Sequence, residues 1–205
     1  MADQESKKNV DMLYELGTLR FIDRSWKQFQ IPNNANVTEH IFRVQMIALL
    51  LAKMEGIADA AVLGRIALMA LFHDVTESRT GDVAFISRQY TERNEVQAAQ
   101  DMFGDTLFAD LAIPLWEEAH KKESLEAKIV KDADNLDCDL ELREMEFRGE
   151  RHVKTFMPTR EYVRAEKLYT ESAKQLWDEI YEVEPLEWVM KARNRLNSGD
   201  WKTKK

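Results

Sequence analysis

The sequence predicts an all-α fold in a single helical domain, on three observations. Only 7 glycines and 4 prolines punctuate 205 residues, while Leu, Ala, Glu, Lys, Arg and Met are abundant; that balance favours helices joined by short connections. Apolar residues recur at three- and four-residue spacing along most of the chain, and no stretch makes a convincing strand. With 44% hydrophobic and 32% charged residues, a chain of this length closes one sizeable core.

Residues 1–8 are polar and predict a flexible, frayed start. From Asn9, the positions Val10, Leu13, Leu16 and Leu19 predict an amphipathic helix with Gly17 as its weak point. Phe21, Trp26 and Phe29 then interleave with Arg20, Arg24 and Lys27. This segment is either a helix end laid on the core or a pocket wall, offering a cation to phosphate and a ring to a base. Residues 31–35 read as a loop. Asn36 with Glu39 has the spacing of a capping box and starts a helix to about Glu55. Its inward stripe of Val44, Ile47, Ala48 and Leu51 includes His40 in the first turn. Taken alone, His40 reads as a satisfied buried histidine.

The next helix, Asp59 to Asp74, delivers His73 and Asp74 at its end, with Glu77 one turn on and Thr80-Gly81-Asp82 breaking it. In an α-helix His73 and Glu77 share a face and Asp74 points about 100° away. A linker over 83–90 leads to a helix over 91–103, ended by Gly104. Another covers 105–118, its regularity limited by Pro114. Ser124 to about Arg148 reads as one long helix carrying Asp132, Asp134, Asp137 and Asp139. Most of these charges are expected on a solvated face. However, Asp134 and Asp137 recur at helical spacing with Val130, Ala133 and Leu140, so at least one aspartate looks inward. Gly149 closes this helix, and residues 150–158 form a basic-aromatic loop. A helix from Pro158 or Thr159 to about Val183 follows, then a break at Glu184-Pro185 and a last helix over 186–196. A polar tail, 197–205, ends the chain. The domain thus spans 9–196, with a helical extension from about 150.

The net charge of −8 argues against binding a nucleic-acid polymer, which needs clustered cations. It leaves room for a nucleotide held by one or two local cations and a metal. The lone cysteine, Cys138, rules out an internal disulfide framework and points to a reducing compartment. The first residues lack the apolar core of a signal peptide, and the longest strongly apolar run, residues 46–52, is too short to span a bilayer. A cytoplasmic protein without a membrane partner is expected.

Imidazole and carboxylate at a buried helix end are costly unless something satisfies them. A hydrogen-bonded cap does so, and so does a divalent metal. The chain offers His40 at one helix mouth, His73 and Asp74 at a helix end, and an inward aspartate, Asp134, on a later helix. Two imidazoles and two carboxylates suit one octahedral or five-coordinate ion with positions left for water. The chain contains no HExxH, paired CxxC, GxxxxGK[ST] or GxSxG, so zincin, zinc-finger, P-loop and serine-hydrolase chemistries lack their residues. His120 and His152 lack partners at ligand spacing and are expected at the surface.

The order H…HD…D on a helical chain resembles the HD-domain metal-dependent phosphohydrolase superfamily. The surroundings are similar to its 5′-deoxynucleotidase branch over roughly residues 10–145: residues 37–40 with Arg43 and Val44, then 73–77 with 80–82, then 131–136. The resemblance implies a helical bundle of the HD-domain type and hydrolysis of (deoxy)nucleoside monophosphates. It implies His40, His73, Asp74 and Asp134 as ligands of one divalent ion (Co, Mn, Mg or Zn). Glu77 would orient or deprotonate the attacking water, and Asp82 would lie near the water or leaving group. Arg24 and Trp26 correspond to the arginine and tryptophan beside phosphate and sugar, although Ser25 separates them here. The resemblance also implies a possible homodimer, and Met157, Tyr162, Tyr169 and Trp177 read as core or as its surface.

Two alternatives stand beside this reading. A (deoxy)nucleoside triphosphate hydrolase of the same fold would need further cations, for which Lys27, Arg79, Arg88 and Lys131 are candidates. A non-catalytic metal-binding regulatory module would close its ligand shell and have no use for the spare carboxylates Glu77 and Asp82.

Overall fold

The structure, a computed structural model, describes residues 2–29 and 34–191. These residues form helices and connections, with no strand beyond an isolated bridge between Asp23 and Asn36. The helices are α1 Ala2–Leu16, α2 Val37–Met54, α3 Ala60–Phe72, α4 Glu77–Thr80, α5 Phe85–Arg88, α6 Glu95–Phe103, α7 Ala109–Lys121, α8 Leu125–Phe147, α9 Met157–Glu166, α10 Glu171–Glu182 and α11 Glu187–Lys191. Turns of 3₁₀ helix cover Gly17–Phe21, Ser25–Phe29 and Arg151–Thr155. The all-α expectation holds. Of the expected loop at 31–35, residues 31–33 lie outside the described residues, as do the end of the 186–196 helix and the tail. No helix among the described residues is long and apolar enough to cross a membrane.

The packing centre is α2, which lies against both α3 and α8; α7 covers α3, and α10 closes over α8. Leu51, Ile66, Met69, Phe103, Ile129 and Leu136 are fully buried there, each contributing roughly 2 kcal/mol through removal from water. Trp177 belongs to this core, whereas Tyr162 and Tyr169 are about half exposed.

Several boundaries differ from the sequence expectation. Helix α1 begins at Ala2 rather than Asn9, because Gln, Glu and Lys propagate a helix that has no breaker before Gly17. Lys8 pairs with Asp105, and Asn9 accepts the Leu107 N–H at 2.9 Å, which ties α1 to the α6–α7 connection. Helix α6 starts at Glu95 because the Asn94 side chain caps it through the Gln97 N–H. Helix α7 runs through Pro114. The single helix expected to Val183 is two, α9 and α10. Asp132 accepts the N–H groups of Tyr169 and Thr170 and the Thr170 hydroxyl, at 2.8–2.9 Å. That draws the backbone out of helix and lets Thr170 cap α10.

The acidic run of α8 departs most from expectation. Asp132, Asp137 and Asp139 are fully buried, and Asp134 lines a cavity. At about 100° per residue, Asp134 and Asp137 share one side of α8 while Asp132 and Asp139 share the other. The second side holds the C-terminal segment. Arg160 of α9 makes a two-pronged pair with Asp139 at 2.8 and 2.6 Å and donates to the Asn135 carbonyl at 2.8 Å, while the Tyr181 hydroxyl donates to Asp139 at 3.0 Å. Each buried carboxylate has partners, which is what permits its burial.

Candidate metal centre and catalytic cavity

A capping box fixes the start of α2. The Asn36 side chain accepts the Glu39 N–H at 3.0 Å, and the Glu39 carboxylate accepts the Asn36 N–H at 3.1 Å. This sets His40 in the first turn, facing α8 and fully buried. Its Nδ1 lies 2.6 Å from Asp137 Oδ2, whose other oxygen accepts from Arg43 Nε. An Asp137 carboxylate can only accept, so the shared proton sits on Nδ1 and the Nε2 lone pair points the other way. Nε2 lies 3.3 Å from Asp134 Oδ1 and 3.4 Å from Asp74 Oδ2.

The second histidine stands where α3 gives way to tighter winding. Glu77 N–H bonds to the Asp74 carbonyl, Ser78 N–H to Val75 and Arg79 N–H to Thr76, at 3.0–3.2 Å. Three residues per turn bring Asp74 and Glu77 to the same side, in place of the α-helical arrangement expected from the sequence. His73 Nδ1 donates to the Ala70 carbonyl at 2.7 Å, so its Nε2 is likewise free, 3.3 Å from Asp74 Oδ2.

His40, His73, Asp74 and Asp134 each bring one ligand atom to a cluster in which all four lie within 4.8 Å of one another. Both Nε2 atoms are buried without a hydrogen-bond partner, a cost the fold would not sustain for nothing. A divalent ion would satisfy both atoms, and a set of two imidazoles and two carboxylates suits it. The hydrogen bonds on both Nδ1 atoms are the outer supports such ligands use.

The electrostatics agree. Burial opposes charge on Asp74, but His73 and His40 hold it well below the usual carboxylate range. Asp134 is also well below, its burial outweighed by Lys131 and His40. Without a cation, His40, despite burial and the Arg24 charge, is held well above the usual imidazole value by Asp134, Asp137 and Asp74, so Nε2 carries a proton that a bound divalent ion would displace. Burial, with the charges of Asp74 and Asp82, pushes Glu77 up to about 10. This is a pocket built for more positive charge than its side chains supply.

Arg24 is buried, with Nη1 3.2 Å from Asp82 Oδ2 and 3.8 Å from Asp74 Oδ2. Asp82 also accepts the Ser25 N–H at 2.9 Å, fixing the backbone between Arg24 and Trp26. Trp26 packs edge-on against Phe156, with centroids 5.1 Å apart. Together with Phe29 and Phe85 these rings line a cavity of about 260 Å³. A second, charged cavity of about 190 Å³ holds His73, Asp74 and Glu77, and the two share Arg24, Arg88, Lys131 and Asp134. Glu77 is buried, with Oε1 3.7 Å from Arg93 and Oε2 unpartnered.

Seven of the eight site residues expected from the sequence therefore line these two cavities, and His40 is buried beside them with Nε2 against Asp74 and Asp134. Of the cations considered for a triphosphate, Arg88 and Lys131 line both; Arg79 is bound to Glu15 and Lys27 to Asp23, outside either lining. His120 is not a free surface residue. It stacks on Trp116 at 3.9 Å, sits 3.3 Å from Glu95 and lines the charged cavity. His152 is partly exposed, 3.8 Å from Glu150. Sequence reading gave no role to Asp137, Arg43, Arg93 or Phe156. The three-residue spacings His40–Arg43 and Asp134–Asp137 were the available signals for the first two. Phe156 had none.

A family profile described as the HD domain matches residues 16–177. The 5′-deoxynucleotidase HDDC2 of Danio rerio is 30% identical over 138 residues, 64% of this chain and 66% of that protein. A 5′-deoxynucleotidase of Klebsiella pneumoniae is 36% identical over 136 residues, 59% of this chain and 65% of that protein. These matches span slightly less than two thirds of the relatives' own lengths. The solved structure of a conserved hypothetical protein from Pyrococcus furiosus superposes with a TM-score of 0.70 at 24% identity, over 85% of this chain and 99% of that one, and shares the fold. With the profile covering most of the chain and the H…HD…D residues gathered at one centre, the chain belongs to the HD-domain family.

Proposed function

We propose that the chain is a metal-dependent phosphohydrolase that removes the 5′-phosphate from (deoxy)nucleoside monophosphates. The observation that carries this reading is the pair of buried, unpartnered Nε2 atoms facing Asp74 and Asp134, with Glu77 beside them and an aromatic cavity adjoining. The naming of the Danio and Klebsiella relatives as 5′-deoxynucleotidases supports it. His40, His73, Asp74 and Asp134 hold the divalent ion. When bound, such an ion supplies Lewis-acid stabilisation of phosphoryl charge and lowers the pKa of water.

The remaining chemistry belongs to side chains. Glu77, protonated in the metal-free fold, would be ionised by the charge of a bound divalent ion and would then accept the nucleophile's proton, a role worth about 10²–10⁴-fold. Asp82 holds Arg24 in place and lies near the leaving oxygen. Arg24 neutralises the phosphate through its forked donors. Trp26 bounds the nucleoside in the aromatic cavity. Residues from about 150 onward form an extension that completes that cavity through Phe156 and Thr159, both among its lining residues. Action in the cytoplasm as a homodimer belongs to the same reading, and sedimentation of the purified chain tests the assembly state.

A second reading, hydrolysis of (deoxy)nucleoside triphosphates, draws support from Arg88 and Lys131 in both cavities. The test is product analysis on metal-stripped protein resupplied with Co, Mn, Mg or Zn and offered nucleoside mono-, di- and triphosphates. Inorganic phosphate from monophosphates is the expected result. Release of triphosphate moves the chain to the second reading, and no turnover with any metal overturns both.

A further inference from the structure

Lys122 has no part in the roles above. It follows the last turn of α7, closing the helix with its N–H on the Glu118 carbonyl at 3.2 Å. Among the described residues it is the one non-glycine with positive φ, at 56°. Glycine usually takes this left-handed position, because a Cβ there crowds the neighbouring carbonyl. Glycine would end α7 equally well. Lysine instead brings a side chain to the wall of the charged cavity that holds Arg24, His73, Asp74 and Glu77.

The lysine's surroundings ask for an anion. No carboxylate pairs with its ammonium among the described residues. The two nearby acids are committed elsewhere: Asp134 to Lys131 at 2.6 Å, and Glu95 to Arg93 at 2.5 Å and to His120. Burial, and then the charges of Lys131 and Arg88, hold the lysine below its usual pKa against the opposing pull of Asp134 and Glu95, so the ammonium lies among charges of both signs. Lys131 is already paired, and Arg88 gives its Nε to the Val83 carbonyl at 2.9 Å. Lys122 alone of the three has every donor uncommitted.

Resting on the phosphohydrolase reading, we propose that Lys122 binds a non-bridging oxygen of the substrate's phosphate and retains the inorganic phosphate product by the same contact. The ligand class is a phosphate dianion held on the cavity wall, with Arg24 as the other cation. The role is one of affinity and specificity, since nothing in the position of Lys122 makes it an acid or base in bond breaking.

The test is equilibrium binding of inorganic phosphate to the metal-loaded chain, by calorimetry or thermal shift, alongside steady-state kinetics. Lys122→Met weakens phosphate binding roughly tenfold, the scale of one charge-assisted hydrogen bond. It raises the KM for the nucleotide by a similar factor and leaves kcat little changed. Lys122→Arg retains binding. Lys122→Gly separates this role from helix capping: its melting temperature holds or rises as the strained residue is removed, while phosphate binding falls as in the Met variant. No saturable phosphate binding by the unaltered chain, or Met and Gly variants that bind phosphate as tightly as the unaltered chain, overturns the proposal. Lys122-dependent phosphate binding in a chain that hydrolyses no monophosphate sustains the anion site and removes only the substrate reading.

Discussion

Asp137→Asn tests whether the centre depends on its outer support. Asp137 is buried between His40 and Arg43, with one oxygen accepting the Nδ1 proton at 2.6 Å and the other accepting from Arg43 Nε. Asparagine keeps the shape but turns one acceptor into a donor. If the new NH₂ faces Arg43, a guanidinium N–H loses its acceptor, although Glu144 still holds Nη1 at 2.7 Å. If it faces His40, the imidazole proton must move to Nε2, which removes the lone pair aimed at Asp74 and Asp134. Either orientation degrades the ligand, and losses of about 10–100-fold in metal affinity are typical of such supports. At 1.36 kcal/mol per decade that is about 1.4–2.7 kcal/mol. Competition against a chromophoric chelator reads this directly, with circular dichroism as the control for folding. A folded Asp137→Asn protein that binds metal as tightly as the parent would refute the argument that Asp137 directs the His40 lone pair.

Three further outcomes are expected. Glu77→Gln keeps metal and fold but lowers kcat by about 10²–10⁴-fold; loss of metal together with activity would return Glu77 to a structural role. The metal-free protein loses stability as pH rises. His40, raised in the fold, contributes stability that is present below its unfolded value near 6.5 and lost as pH climbs through its folded value. Glu77 acts in the same direction, because from about 4.5 to about 10 the folded state keeps a proton that the unfolded chain has released. Melting temperatures between about pH 5.5 and 8.5 should therefore fall for the metal-free protein, with Glu77→Gln flattening the slope; a flat profile for the parent contradicts this. Finally, Arg160→Met leaves the buried Asp139 charge with only the Tyr181 hydroxyl as partner and costs about 3–5 kcal/mol in denaturant unfolding. Adding Asp139→Leu should restore much of that, and strictly additive losses would argue against a coupled pair.

The positions of the candidate ligands His40, His73 and Asp74 were legible because local rules carry them. A capping box fixes the first, and an apolar helix ending in a polar cluster marks the others. The acidic run was not legible in the same way. Whether Asp132 or Asp139 faces water depends on partners far along the chain, Thr170 and Arg160, which no local spacing reveals. The break between α9 and α10 was hidden for the same reason, since residues 167–170 contain no Gly or Pro and the backbone is turned by Asp132. The side shared by Asp74 and Glu77 depended on 3₁₀ winding after Phe72, where the sequence offers no sign against a continued α-helix. The aromatic cavity was half visible. Trp26 and Phe29 announced themselves among cations, but Phe156 comes from a segment whose role only the packing reveals.

The two-sided placement of aspartates on α8 has a consequence for how such a chain can diverge. Asp134 and Asp137 stand at the candidate metal centre, while Asp132 and Asp139 fasten the segment that contributes Phe156 and Thr159 to the aromatic cavity. Under the proposed function, chemistry and substrate choice are thus mounted back to back on one rigid rod. Replacing the residues that dock the C-terminal segment can reshape what the cavity admits while the metal ligands keep their positions. Drift in substrate range among chains built this way should concentrate after residue 150 and on the Asp132–Asp139 side of α8. The hydrolytic centre would remain the fixed part of the design.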